Sequence, residues 1–129
     1  MAGKTDRTDT RTGTILVVED ETLIAMDIEA TLREGGYDDV HVATSAGRAG
    51  AYLDAATPSA ALLDVNLGRD ETSVELARLL DARGCPILFM TGYTASAVAL
   101  PGALSEAPRL SKPFEEGELL DALAALLRP

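Results

Sequence analysis

The chain has 129 residues, 47% hydrophobic and 25% charged, which reads as one globular domain with enough length to bury a core. Its formal net charge is -10, with only 11 Lys and Arg, scattered, and this excludes a nucleic-acid surface built on clustered basic residues. Cys85 is the only cysteine, so no internal disulfide can form; no apolar run suits a signal peptide or a membrane span, and a cytoplasmic location is expected.

Residues 1–12 alternate Thr with Lys, Asp and Arg, and a disordered tail is predicted ahead of a single domain, 13–129. Ile15 to Val18 is a short β-branched run, predicted to be a buried parallel strand. From Thr22 to Arg33, Leu23, Met26 and Ala30 recur at helical spacing, and Gly35-Gly36 stops the helix. Val40 to Ala43 is the second strand, with His41 inside it. Thr44 or Ser45 caps a helix running to about Asp54, with Ala46, Ala49, Tyr52 and Leu53 on one face, and Pro58 breaks it.

Ala60 to Leu63 is the third strand, followed by a loop over 66–70. A helix then runs to about Ala82, with Val74, Leu76, Leu79 and Leu80 as its apolar positions, and Gly84 ends it. Ile87 to Met90 is the fourth strand. Residues 94–104 are mostly small and are interrupted by Pro101-Gly102, which predicts only an irregular, weak fourth helix. Arg109-Leu110 is a short fifth strand. Glu115 to Leu127 is a terminal helix, with Glu at its start, Arg128 at its end and Leu119, Leu120, Leu123 and Leu126 on its buried side. Five βα units imply an α/β fold, a doubly wound (βα)5 five-stranded parallel sheet with the flavodoxin-like order 2-1-3-4-5.

Five polar residues follow the strands. Glu19 and Asp20 come after the first, Asp64 after the third, Thr91 after the fourth and Lys112 after the fifth. Each has an ordinary reading alone: Glu19-Asp20 as a helix cap, Thr91-Gly92 as a turn, Lys112 as a solvated surface residue. Together they fall at the carboxyl ends of successive strands, the edge where ligands bind in such sheets. Clustered carboxylates suit a hard cation, and Mg²⁺ takes one or two of them along with water and phosphate oxygens. A carboxylate can also act as a nucleophile and form an acyl phosphate. Lys112, the Thr91 hydroxyl and nearby backbone N–H groups would then neutralise phosphoryl oxygens.

The text Ile15-Leu16-Val17-Val18-Glu19-Asp20, Leu62-Leu63-Asp64-Val65-Asn66-Leu67, Thr91-Gly92 and Lys112-Pro113-Phe114 resembles a response-regulator receiver domain of the CheY-like kind, over residues 13–128. The resemblance implies a two-component or phosphorelay signalling protein rather than a turnover enzyme. Asp64 would accept a phosphoryl group from a sensor histidine kinase or a phosphotransfer protein. Glu19, Asp20, Asp64 and the backbone carbonyl of Asn66 would hold Mg²⁺, Thr91 and Lys112 would contact the phosphoryl group, and Lys112-Pro113 would be cis. Signal would pass by contact with a downstream protein, or the chain would act as a phosphate sink.

One departure narrows the resemblance. Receivers usually carry an aromatic residue three positions before the lysine, and here that residue is Arg109. Phe89-Met90-Thr91-Gly92-Tyr93 resembles instead the single-domain "FAT GUY" receivers, which lack that aromatic and partner kinases of the HWE or HisKA2 kind. A switch in the segment from Tyr93 to Leu104 is expected in its place, with Asn66 and Tyr93 as candidate modulators of the hydrolysis rate.

Two other functions share these parts. A phosphatase of the haloacid-dehalogenase type also uses an Asp nucleophile, but it resembles Asp-x-Asp, and Asn66 stands at the second acid here. A flavin or nucleotide module would need a phosphate-cradling loop after the first strand. Glu19-Asp20-Glu21 would repel an anion there. His41, Cys85, Tyr37 and Tyr52 are read as packing or surface residues.

Overall fold

β1, Ile15–Val18, is buried along its whole length, as a strand must be when helices cover both faces of its sheet. In the computed structural model, residues 13–65, 73–91 and 107–127 are described. The other elements are α1 Thr22–Glu34, β2 Val40–Ala43, α2 Ala46–Ala55, β3 Ala60–Asp64, α3 Val74–Ala82, β4 Ile87–Thr91, β5 Arg109–Ser111 and α4 Glu116–Leu127. All strand pairs are parallel, and the order is β2-β1-β3-β4-β5. The flavodoxin-like topology expected from the sequence is therefore present. The tail over 1–12, the loop over 66–70, the weak helix over 94–104 and Arg128 lie outside the described residues.

Alternation along the strands sends side chains to two cores. Leu16, Val18, Leu63 and Phe89 pack beneath α2 and α3, with Leu53, Leu76 and Leu80. Ile15, Val17, Leu62, Leu88 and Met90 pack on the other side, against Ile28 and Leu32 of α1 and Leu119 and Leu123 of α4.

Local chemistry sets the helix ends. Ser45 is extended, at φ -156 and ψ 163, and its Oγ accepts from the Arg48 N–H at 3.1 Å, a formed N-cap for α2. Gly36 at φ 101 and Gly84 at φ 76 turn the chain after α1 and α3 in the left-handed region that favours glycine. Arg83 ties the far end of the domain together. Its guanidinium donates to the Leu53 carbonyl at 2.8 Å, the Ala56 carbonyl at 3.2 Å and Thr57 Oγ1 at 3.1 Å. The His41 ring stacks on Tyr52 with centroids 4.5 Å apart. Cys85 is buried, and burial pushes its thiol up to about 11.

The helix expected from Thr22 is present, and the structure shows which of its faces is buried. Leu23, Met26 and Ala30 share a face of α1, but it is the outer one: Leu23 is 80% and Met26 58% exposed. Ala25, Ile28, Thr31 and Leu32 form the buried stripe instead. The helix is apolar on two sides, so helical spacing alone marks both. Leu79 is likewise 40% exposed on α3, whose buried stripe is Leu76, Ala77 and Leu80. Among the described residues no helix is long and apolar enough to cross a membrane.

Candidate functional site

The ladders bring the strand ends level. Val18 pairs with Leu63, Asp64 with Met90, and Thr91 with Ser111. The residues that leave these strands therefore meet at one edge. The Lys112 N–H extends the β4–β5 ladder by donating to the Thr91 carbonyl at 2.6 Å, which brings the lysine back over the sheet end. The Lys112-Pro113 peptide is cis, as the resemblance implied.

Glu19 is fully buried, and Asp64 is 6% exposed. Lys112 Nζ donates to Glu19 Oε1 at 2.6 Å and to Asp64 Oδ2 at 3.2 Å. The other Glu19 oxygen accepts from the Glu21 N–H at 3.2 Å, so both carboxylate oxygens are held by the protein. Burial pushes the Glu19 carboxyl up to about 7; the Lys112 hydrogen bond opposes the rise and the Asp64 charge adds to it. Burial works to lower the Lys112 ammonium, but its hydrogen bond to Glu19 and the charge of Asp64 outweigh that and hold it above its ordinary value.

Carboxylate oxygens of Glu19, Asp20 and Asp64 lie within 4.8 Å of one another. With all three ionised, three negative charges face the single positive charge of Lys112, leaving two, the charge of one divalent cation. Oxygen donors at this spacing fit a hard cation such as Mg²⁺. The donor set includes no cysteine or histidine that would favour a softer metal.

The structure thus brings together Glu19, Asp20, Asp64 and Lys112. Thr91, 5% exposed, ends the strand between those of Asp64 and Lys112. Asn66 and Tyr93 lie outside the described residues. Arg109 is exposed on β5, so its guanidinium does not replace a buried aromatic. Two features were not singled out from the sequence. The Glu21 N–H has no sequence signal, because any residue there supplies it. Ser73, fully buried at the start of α3, does have one: a serine immediately before a helical stripe.

Comparison with known proteins shows the family and the fold. The family model for the response regulator receiver domain matches residues 15–124. SdrG from Sphingomonas melonis Fr1 is a solved structure 37% identical, covering 92% of this chain and 98% of its own, at a TM-score of 0.77. The PhyR stress response regulator is 28% identical over 90% of this chain and 45% of its own, at 0.74. The transcriptional regulatory protein PdtaR of Mycobacterium tuberculosis is 28% identical over 113 residues, 84% of this chain. The chain spans about half the length of that relative, 54%.

Proposed function

The chain belongs to the response regulator receiver domain family, and from that premise we propose that it accepts a phosphoryl group on Asp64, with Mg²⁺, from a sensor histidine kinase or phosphotransfer protein. The observation that carries this reading is the position of Asp64. It ends β3 at the ligand-binding edge, with the Lys112 ammonium 3.2 Å from Oδ2 and carboxylate oxygens of Glu19 and Asp20, just after β1, within 4.8 Å.

The chemistry follows from these groups. An Asp64 oxygen forms a bond to phosphorus while the phosphorus–nitrogen bond of a phosphohistidine donor breaks; its electron pair stays on the imidazole, which takes one proton from solvent, giving an acyl phosphate and a neutral imidazole. Lys112 Nζ is placed to follow the charge from Asp64 Oδ2 to a phosphoryl oxygen. The Thr91 hydroxyl, at the neighbouring strand end, would donate to another. Glu19, Asp20 and Asp64 would hold Mg²⁺, which supplies neutralisation of phosphoryl charge when bound.

The reading makes the chain a signalling protein of the cytoplasm rather than an enzyme with a separate substrate. Its output would be contact with another protein, or drainage of phosphate from its kinase. The outer stripe of α1 supports a helical partner: Leu23 and Met26 are exposed on its first turns, just after Asp20 and three residues apart, the spacing by which a helix engages another. A kinase of the HWE or HisKA2 kind is favoured by the text Phe89-Met90-Thr91-Gly92-Tyr93 and the absence of an aromatic at Arg109.

Intact mass after incubation with acetyl phosphate and Mg²⁺ tests the proposal. One labile phosphoryl group should appear on the native protein and not on Asp64→Asn, nor without Mg²⁺. A gain that persists in Asp64→Asn would place the acceptor elsewhere. Steady turnover of a phosphoester would favour the phosphatase reading instead.

A further inference from the structure

Among the described residues two serines open helices, and only one of them caps. Ser45 is extended and its Oγ accepts from the Arg48 N–H. Ser73 is the N-cap residue of α3, its carbonyl accepting from the Ala77 N–H at 2.8 Å. Yet its backbone sits at φ -93 and ψ 12, and its side chain makes no capping hydrogen bond. Ser73 is fully buried and its Oγ has no partner, an expensive state for a hydroxyl. The first N–H groups of α3 have no partner within the helix either, which is the position an N-cap side chain normally fills.

What holds Ser73 in this conformation is visible. Its N–H donates to the Val65 carbonyl at 3.3 Å, the longest of the described backbone hydrogen bonds outside the regular elements. Val65 is the residue after Asp64, and its own N–H donates to the Met90 carbonyl at 3.0 Å. The start of α3 is therefore tied through one weak bond to the residue next to the proposed acceptor.

We propose that the α3 N-terminus is a two-state cap coupled to Asp64: open when Asp64 is unmodified, and closed by Ser73 Oγ when it carries a phosphoryl group. In the open state Ser73 N–H bonds Val65. A phosphoryl group on Asp64 displaces the following residue, the weak bond yields, and ψ of Ser73 swings from 12 towards the 163 that Ser45 adopts. Ser73 Oγ then accepts from an N–H of the first turn, and the buried hydroxyl gains its partner. The inference rests on the phosphoacceptor reading of Asp64. By reciprocity, whatever removes the closed cap weakens phosphoryl binding.

The probe is beryllium trifluoride with Mg²⁺, titrated into the native protein and three variants. Ser73→Ala should bind about fivefold more weakly, the equivalent of a typical capping loss of about 1 kcal/mol. Ser73→Asn, which can still cap, should keep native affinity. Ser45→Ala should lower thermal stability equally with and without the probe and leave its affinity unchanged. Equal affinity for Ser73→Ala and native protein would overturn the switch while leaving Asp64 as acceptor. No uptake by the native protein would remove the acceptor reading itself. In unmutated protein, amide exchange at Glu75 and Leu76 should slow when the probe binds, and unchanged exchange at both would also overturn the switch.

Discussion

Replacing Lys112 by Met should expose how far the buried acid pair depends on its ammonium. The variant loses the 2.6 Å contact to Glu19 and the 3.2 Å contact to Asp64. Two carboxylates no more than 4.8 Å apart then face each other. At an effective dielectric of about 20 their repulsion is at least about 3 kcal/mol. The native protein already keeps Glu19 near 7, against an ordinary value of 4.5. The folded state thus binds this proton more tightly than the unfolded one, and Glu19 favours folding fully below pH 4.5. Its contribution falls as pH rises to about 7 and is then exhausted. Without Lys112, which lowers the Glu19 pKa, the fall continues above pH 7 at about 1.4 kcal/mol per pH unit. Urea denaturation followed by circular dichroism in EDTA, at pH 7 and 8.5, measures this directly. The variant should lose about 1.5 kcal/mol more than the native protein over that interval, because native Glu19, half protonated at pH 7, itself loses about 0.4 kcal/mol. Parallel losses in the two proteins would refute the idea that Lys112 governs Glu19.

Leu23→Asp should leave phosphorylation by acetyl phosphate and thermal stability near native, because the side chain is 80% exposed, yet slow transfer from a kinase at least tenfold. Equal transfer rates would show that the outer α1 stripe is not a docking surface. Gly84→Ala should cost about 1 kcal/mol although nothing lies within 4 Å of the added Cβ, because φ is 76 there; chemical denaturation checks it. Cys85 should resist alkylation at pH 8 in the folded protein and react on unfolding, since the thiol is buried and pushed up to about 11. Rapid labelling of the folded protein would contradict that burial.

The strands were legible because a sheet covered on both faces leaves uninterrupted apolar runs, and Leu62-Leu63-Asp64 shows where such a run ends at the site. The spacing of Glu19-Asp20, Asp64, Thr91 and Lys112 then needed only the topology to bring them to one edge. Which side of α1 is buried was not legible. Leu23, Met26 and Ala30 satisfy helical spacing as well as Ala25, Ile28 and Leu32 do, and the difference is set by what each side packs against. The pairing of Lys112 with Glu19 was also hidden, because it depends on how the chain turns back after β5. Ser73 shows a third limit: a capping residue in the right place does not reveal whether its backbone adopts the capping conformation.

The Arg83 clasp gives the domain a mechanical polarity. Three bonds from one guanidinium fasten the end of α2 and the turn after it to the end of α3, beside the amino ends of β3 and β4. The acids, the lysine and the open cap all sit at the opposite, carboxyl edge. On the proposed switch, motion beginning at Asp64 would meet this anchored base, and α3 would pivot about its Arg83 end rather than slide as a whole. For anyone fusing a reporter to this protein, the consequence is practical. A label near Thr57 would register almost nothing, whereas one at the start of α3 would sit at the end of the lever.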